Sequence, residues 1–283
     1  MAIEVHPLSP VLGGEILNVD LSRPITPELA REIRMLWLRH QVIVFRDQSI
    51  DIDAQRRLVQ CLGELQPPRS KLPRLNPDIL YVANVSVDGD RGELPEGDMQ
   101  FHADQCYYET PTAGAVLYAI EIPRAGGNTL FANMYKAYDT LAPAFRARLQ
   151  GRDVLFAYDY EKNAYKRARL DEHAPRCTHP ALIQHPETKR PVLFVNRLMA
   201  DHFVGLPINE SEALLEQVFS HIERPEHIYE HEWRVGDVLV WDNFSTLHAR
   251  TDFDPTERRV LRRMAIRGTR PHALQPASVA ADS

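Results

Sequence analysis

The chain has 283 residues, of which 39 are acidic and 33 basic, and its formal net charge is −6. With 44% hydrophobic and 25% charged residues, the composition is that of a globular protein and excludes collagen-like and largely disordered classes. The mild acidity argues against a nucleic-acid-binding protein, which usually carries a strong basic excess.

The N-terminal part of the sequence predicts two helices with a strand between them. Thr26-Pro27-Glu28 combines a capping hydroxyl, a first-turn proline and an acid near the positive end of the helix dipole. Apolar residues follow at helical spacing, and Val42–Phe45 then predicts a strand. A second helix is predicted over about residues 53–62, with Gly63 well placed to end it.

The remainder alternates short strands with a few helices. Apolar runs predict strands at residues 79–83, 115–120, 129–131, 192–195, 231–235, 238–241 and 258–267. The pair 231–235 and 238–241 flanks Gly236-Asp237, which indicates a β-hairpin or a bent strand pair. Helices are predicted at 135–150, broken near Pro143, and at 210–221. Residues 88–97 predict a surface loop, and 158–176 a long lid or binding loop.

This pattern predicts a mainly β fold with flanking helices, and a double-stranded β-helix (jelly roll) is one such core. The sequence contains neither a G-x-G-x-x-G motif nor a P-loop lysine motif. We expect a single domain over 1–283, because no linker-like stretch or repeat divides it. Three separated cysteines without a CxxC pair favour a reducing compartment. With no signal-peptide pattern and no apolar run long enough for a bilayer, the expectation is a cytoplasmic protein without membrane contact.

The sharpest local motif is Phe101-His102-Ala103-Asp104. On a strand, His102 and Asp104 would point to the same side and offer a nitrogen and an oxygen ligand. An acid two positions after a histidine also occurs elsewhere in the chain, so a surface turn is the alternative. His248, just past a predicted buried strand, supplies a third ligand. Two histidines and one carboxylate make the facial triad that holds Fe(II) with open positions, while a zinc hydrolase is a second reading of the same set.

Arginines cluster in the last predicted strand. Arg259 and Arg263 are four residues apart and would face the same side of the strand. Inward arginines are costly unless they meet anions, and a dicarboxylate cosubstrate would supply matching carboxylates. A solvated basic edge strand is the alternative, and it suits Arg258 and Arg262 best.

These motifs, in this order, resemble the TauD/TfdA family of Fe(II)/2-oxoglutarate-dependent dioxygenases. The resemblance runs from Leu12-Gly13-Gly14-Glu15 to Arg263. The other matching segments are residues 38–48, His102-Ala103-Asp104 with residues 109–115, Gly126-Gly127-Asn128-Thr129, Trp241-Asp242-Asn243 before His248, and Arg259 eleven residues beyond it.

The resemblance implies a role for each group. His102, Asp104 and His248 would ligate iron, and Thr129 and Arg259 would hold the C5 carboxylate of 2-oxoglutarate. Arg263 would lie near the C1 carboxylate or meet an anionic group of the substrate. With O2, 2-oxoglutarate would be converted to succinate and CO2 while the substrate is hydroxylated. Related halogenases lack the carboxylate ligand, so its presence favours hydroxylation. The family often forms dimers or tetramers, and a homo-oligomer is expected by analogy.

The substrate is expected to be a small organic molecule bearing a carboxylate or sulfonate, with hydroxylation next to a heteroatom releasing a group. Gln105 stands where members carry a smaller residue, and it should border the pocket. The family's taurine-binding histidine has no match in residues 69–74, which weakens taurine as substrate, although Lys71 of this basic stretch could pair with an acid. His202, predicted in a loop after a strand, is a further candidate contact.

Two other functions stay open on sequence alone. One is a hydroxylase of an amino acid or a biosynthetic intermediate. The other is a non-catalytic jelly-roll protein that binds a metal or a small acid. Cys106 would border the site if the strand continued past Asp104, although a buried, inert thiol is the alternative.

Overall fold

The computed structural model describes residues 3–69, 72–158 and 173–275. The helices are α1 (Pro27–His40), α2 (Ile52–Leu62), α3 (Met134–Asp139), α4 (Pro143–Leu149), α5 (Ile208–Ile222) and a short 3-10 turn (Pro225–His227). The first nine strands are β1 (Glu4–Pro7), β2 (Gly14–Leu17), β3 (Val42–Phe45), β4 (Leu65–Gln66), β5 (Leu80–Ala83), β6 (Met99–His102), β7 (Gly114–Glu121), β8 (Thr129–Asn133) and β9 (Asp153–Ala157). The others are β10 (Arg176–Pro180), β11 (Leu182–Gln184), β12 (Pro191–Leu193), β13 (Ala200–Phe203), β14 (Ile228–His231), β15 (Val238–Asp242), β16 (Thr246–Arg250), β17 (Val260–Ile266) and β18 (His272–Ala273).

The two N-terminal helices begin and end where local sequence chemistry predicts. Thr26 caps α1 by accepting a hydrogen bond from the backbone N–H of Leu29 at 3.2 Å. Asp51 caps α2 in the same way, and Gly63 ends it. None of the described helices combines the length and the apolar run that a bilayer crossing needs.

An eight-stranded sheet forms one side of the molecule. Its order is β1-β2-β3-β15-β7-β17-β4, with β5 also pairing with β17. Every pair is antiparallel except β2 with β3. One face packs on α1 and α2 through buried side chains that include Trp37, Leu58, Val116 and Met264. Because side chains alternate along a strand, this apolar layer determines which residues of β17 face the helices and which face the opposite side of the sheet.

A second sheet, of order β14-β8-β16-β6, faces the other side of the large sheet. The core between them contains Phe131 and Tyr229 from the small sheet, and Leu117, Trp241 and Leu261 from the large one. A third apolar cluster joins α3 and α5 to the two three-stranded sheets, β10-β9-β13 and β12-β11-β18. The predicted mainly β fold with flanking helices is confirmed.

Most predicted elements are present, but the predicted pairing of two of them is wrong. The helix predicted at 135–150 is broken at Pro143 into α3 and α4, as expected. The hairpin predicted around Gly236-Asp237 is wrong. β14 ends at His231, and it pairs with β8, whereas β15 pairs with β3 and β7. The two strands therefore lie in different sheets. Most of the predicted loop 158–176 lies outside the described residues.

The arginines of the β17 segment alternate between the two faces of the large sheet. Leu261 lies in the core between the sheets, and Arg259 and Arg263 share its side, as predicted. Arg262 points the other way, and its guanidinium donates to Gln55 Oε1 at 2.7 Å on α2. The edge-strand alternative is wrong for this buried arginine because β17 has neighbours on both sides. A solvated position, as that alternative requires, is found only for Arg258, which is exposed.

We predict that Gln55→Ala lowers the free energy of unfolding by about 2–3 kcal/mol, because it leaves buried Arg262 short of a hydrogen bond to a charged donor. Gln55 also donates to the backbone carbonyls of Val116 and Arg262, both at 3.0 Å. Urea unfolding of the metal-free protein measures the loss. The matched control is Arg258→Ala, which removes only an exposed ion pair with Glu121 and should leave the midpoint almost unchanged. Equal effects of the two substitutions would contradict this assignment.

Candidate active site

Two histidines meet on neighbouring strands of the small sheet. His102, the last residue of β6, lies directly opposite His248 of β16, and their ring centroids are 4.0 Å apart. The rings are also close to the core between the sheets, since His248 lies 4.8 Å from the Trp241 ring. Sheet pairing therefore fixes the distance between these two imidazoles.

Asp104 completes the cluster from outside the strand. The strand predicted to run through it is wrong, because β6 ends at His102 and the chain turns at Asp104. Asp104 Oδ1 nevertheless lies 3.8 Å from His102 Nε2 and 3.8 Å from His248 Nε2. These separations are too long for hydrogen bonds but suit two ligands of one metal ion with bonds of about 2 Å. His102, Asp104 and His248 are therefore a donor set that fits a metal, with ligand atoms within 4.8 Å of one another.

The charge states of the cluster suit a cation. Burial raises the pKa of Asp104, but Arg263 and the two histidines outweigh that effect and hold it below its ordinary range. Burial lowers the pKa of His248 to about 3 and also lowers that of His102. At neutral pH the site therefore presents one carboxylate and two neutral imidazoles. The backbone carbonyl of Gln100, 2.8 Å from His102 Nδ1, accepts its proton and leaves Nε2 free for the cluster.

Arg263 reaches this cluster from the opposite sheet. Its Nη2 donates to Asp104 Oδ2 at 2.7 Å, while Oδ1 faces the histidines. The guanidinium therefore occupies one carboxylate oxygen and leaves the other for a metal. The predicted inward position of Arg263 is confirmed.

Arg259 is a buried cation with few partners. It is 1% exposed, its Nε donates to the Gly127 carbonyl at 3.0 Å, and its Nη1 has no hydrogen-bond partner among the described residues. Burial, and then the nearby charge of Arg250, lower the pKa of Arg259 to about 9. Gly127 has φ +66°, and a Cβ there would lie 3.1 Å from the Arg259 side chain, so glycine is required. An anion would relieve this uncompensated charge.

Thr129 follows two residues after the carbonyl that Arg259 contacts. It is buried at the start of β8, and its Oγ1 accepts a hydrogen bond from Trp233 Nε1 at 3.0 Å. In this bond the indole N–H is the donor and the hydroxyl oxygen is the acceptor. The hydroxyl proton is therefore still available to another acceptor. Trp233 was not among the predicted site residues, because its contact with Thr129 spans 104 residues and has no local signal.

Gln105, predicted to border the pocket, is in the left-handed backbone region at φ +60°. Its Oε1 accepts from Gln66 Nε2 at 2.6 Å. Gln66 lines a cavity of about 280 Å³ together with Pro67, Arg69, Thr110, Arg267 and Gly268. The amide pair thus connects the Asp104 turn to this cavity. Gln66 has no local signal in the sequence, because only the pairing of β4 with β17 brings it there.

Two other candidate residues, His202 and Cys106, do not join the cluster. Lys71 lies outside the described residues. His202 lies on β13 rather than in a loop, and its Nδ1 is 2.6 Å from Asp201 Oδ2. Cys106 does not share a strand face with Asp104, because the strand has ended. Its thiol is buried beside Asn196 and Met199, and burial raises its pKa to about 12, which makes it unreactive.

Comparison with known proteins identifies the family. The family model described as "Taurine catabolism dioxygenase TauD, TfdA family" matches residues 4–265. The chain belongs to the TauD/TfdA family. It is 30% identical to an alpha-ketoglutarate-dependent 2,4-dichlorophenoxyacetate dioxygenase from Burkholderia sp. (strain RASC), covering 95% of this chain and 96% of that one.

Two further relatives of this TauD/TfdA chain come from other bacteria. It is 30% identical to an (S)-phenoxypropionate/alpha-ketoglutarate-dioxygenase from Sphingobium herbicidovorans, with 94% and 96% of the two chains covered. A taurine dioxygenase structure from Burkholderia xenovorans superposes with a TM-score of 0.81 at 29% identity, covering 96% of this chain and 93% of that one. The protein is an Fe(II)- and 2-oxoglutarate-dependent dioxygenase, with 2-oxoglutarate and O2 as cosubstrates.

We predict that His102→Ala weakens Fe(II) binding at least 100-fold while the metal-free protein stays folded, because it removes one of the three side chains of the donor set that fits a metal. Anaerobic Fe(II) titration against a chromophoric chelator measures the affinity, and circular dichroism checks the fold. The matched control is His221→Ala. His221 is also buried, but it hydrogen-bonds the Ala137 carbonyl at 2.7 Å, so its loss should lower stability without changing Fe(II) affinity. Unchanged affinity in His102→Ala would remove it from the ligand set.

Proposed function

We propose that this dioxygenase hydroxylates a small anionic molecule at a carbon next to a heteroatom. The observation that carries the proposal is the His102–Asp104–His248 donor set with Arg263 bound to its carboxylate, together with the buried Arg259, which has no described counter-charge. The names of its relatives place phenoxyacetate, phenoxypropionate and taurine among their substrates, all of which bear an acidic group. These names support an acidic substrate for this chain.

In this proposal His102, Asp104 and His248 hold Fe(II). When bound, the iron activates O2 for oxidation of both 2-oxoglutarate and substrate. In that chemistry one oxygen atom of O2 would go to succinate as CO2 is released, and the other would become the hydroxyl group on the substrate carbon. If that carbon also bears an ether oxygen or a sulfonate, the hydroxylated product breaks down to a carbonyl compound and the released group. Arg263 contributes by holding Asp104 Oδ2, so that only Oδ1 faces the metal.

Arg259 and Thr129 would bind the distal C5 carboxylate of 2-oxoglutarate. The buried Nη1 of Arg259 and the hydroxyl proton of Thr129 are two donors without a described acceptor, and a carboxylate accepts both. Arg263 has further N–H donors beyond the one used by Asp104, and these suit the C1 carboxylate or the acidic group of the substrate.

We predict that Arg259→Ala abolishes cosubstrate binding but not iron binding, because it removes the cation that matches the C5 carboxylate. Fe(II) and then 2-oxoglutarate are added to the metal-free protein without oxygen, and the visible charge-transfer absorption of the chelate is recorded. The neighbouring Arg258→Ala is the matched control and should keep the absorption. If Fe(II) binds to the wild type and the absorption never forms, a binding protein or a hydrolytic metal site becomes the better explanation.

The acidic group of the substrate would bind in the cavity beside Gln66. Two arginines line it, and the Gln66–Gln105 pair leads from it to the turn that carries Asp104. Arg69 is oriented by stacking over the Tyr108 ring at 4.5 Å and by donating to the Thr110 carbonyl at 3.0 Å. Arg267 Nε lies 3.2 Å from Glu64 Oε1, and both of these side chains are exposed. A carboxylate or sulfonate would find two cations there.

We predict that Arg69→Ala and Arg267→Ala each raise KM for an acidic substrate about 10-fold or more, because each removes a charge-assisted hydrogen bond. Succinate release with aryloxyalkanoates and alkylsulfonates identifies the substrate to be used. The corresponding neutral amide should lose little, and Arg258→Ala, which removes a charge away from the cavity, should behave like the wild type. No turnover across the whole acid panel would exclude this substrate class, and equal losses for acid and amide would exclude this binding position.

The arrangement of the two facing sheets supports a more specific fold assignment. We propose that β3, β15, β7 and β17 form one face, and β14, β8, β16 and β6 the other, of a double-stranded β-helix (jelly roll). The face-to-face core between these sheets supports this assignment. We also propose a single-domain cytoplasmic enzyme that forms a dimer or tetramer and contacts neither nucleic acid nor membrane. Sedimentation of the purified chain tests the oligomeric state.

A further inference from the structure

The three proposed metal ligands are not held in the same way. His102 and His248 are register partners in the small sheet, so backbone hydrogen bonds between strands fix both. Asp104 lies in the turn after β6, outside any strand, and Gln105 beside it has a left-handed backbone. The sheet therefore does not set the position of the carboxylate ligand, and another group must do so.

Asn243 provides that connection. Its Oδ1 accepts the backbone N–H of Asp104 at 2.7 Å, and its Nδ2 donates to the Asp104 carbonyl at 3.0 Å. The same Nδ2 donates to the Thr112 carbonyl at 2.9 Å. Asn243 is fully buried, and its own backbone N–H donates to the Ala113 carbonyl at 2.9 Å. One amide side chain thus binds both backbone polar groups of Asp104 and ties them to the segment before β7.

The turn that carries Asn243 is itself fixed. The Asp242 carboxylate accepts the backbone N–H groups of Phe244 and Ser245 at 2.9 and 3.3 Å. Its other oxygen lies 2.8 Å from His185 Nε2, and both side chains are buried. The turn leads directly into β16, which carries His248. The distance between the Asp104 turn and His248 is therefore set through this short, buried connection.

We propose that Asn243 is a positioning residue that holds Asp104 at the distance from His102 and His248 that a metal ion requires. The proposal rests on the proposed ligand set. Arg263 fixes the carboxylate, and Asn243 fixes the backbone from which the carboxylate projects. Without the amide, two buried backbone groups of Asp104 lose their partners, and the turn is free to relax away from the histidines. Groups that orient metal ligands typically contribute 10- to 100-fold to metal affinity.

Anaerobic Fe(II) titration tests this role in the metal-free protein. Asn243→Ala should weaken Fe(II) binding 10- to 100-fold, and Asn243→Ser should weaken it by less. The matched control is Asn133→Ala. Asn133 is also a buried amide that binds backbone groups, accepting from Lys136 N and donating to the Val11 carbonyl, but it caps α3. Its loss should lower the melting temperature and leave Fe(II) affinity unchanged. Fe(II) affinity within 2-fold of wild type in Asn243→Ala, with a melting temperature lowered as in the control, would reduce Asn243 to a structural residue.

Amide hydrogen exchange gives a second test that needs no variant. In the metal-free wild type, the Asp104 amide should be protected from exchange because it donates to Asn243 Oδ1. Rapid exchange at Asp104 would overturn the proposal even if Asn243→Ala fails to fold. The His102→Ala variant separates this proposal from the ligand set on which it rests. If His102→Ala binds Fe(II) like the wild type, the ligand set is wrong. If only His102→Ala loses affinity, Asn243 has no positioning role.

Discussion

The ion pair between Asp104 and Arg263 is the contact on which the site depends. It joins a turn beside the small sheet to a strand of the large sheet, across the core that separates them. Burial disfavours the charged form of the Asp104 carboxylate, and Arg263 supplies the counter-charge from the opposite side. The same contact decides which oxygen faces the histidines. Fold and donor set are therefore coupled, because the cluster has this geometry only while the two sheets stay packed.

A second constraint is the buried positive charge at Arg259. Placing a guanidinium in the interior without a carboxylate is unfavourable. Among the residues that the structure describes, its Nε has a carbonyl oxygen as partner and no carboxylate balances its charge, so the site suits an anion. Binding of a dicarboxylate there would relieve an energetic cost already present in the free protein, which is a common way for a rigid site to favour its ligand.

Much of this arrangement could be predicted from the sequence, because its signals are local. The cap at Thr26, the apolar run at Val42–Phe45 and the alternation of Arg259 with Arg263 each depend on neighbouring residues. The errors arose where tertiary contacts decide. Strand alternation placed Asp104 on the correct side for the wrong reason, since a turn and not a strand brings it to the histidines.

Some contacts had no local signal at all. The bond between Asn243 and Asp104 spans 139 residues, and that between Trp233 and Thr129 spans 104.

The alternation of Arg262 and Arg263 along β17 also makes the register of this strand critical. Slippage of this strand by one position would exchange the side chains on its two faces, so that Arg262 would enter the site and Arg263 would meet helix α2. Gln55 on helix α2 accepts a hydrogen bond from Arg262 on the side of the sheet away from the site. This contact forms in only one register of β17 with its neighbours. A buried contact on the opposite face of the sheet thereby fixes the register of the strand that carries Arg263.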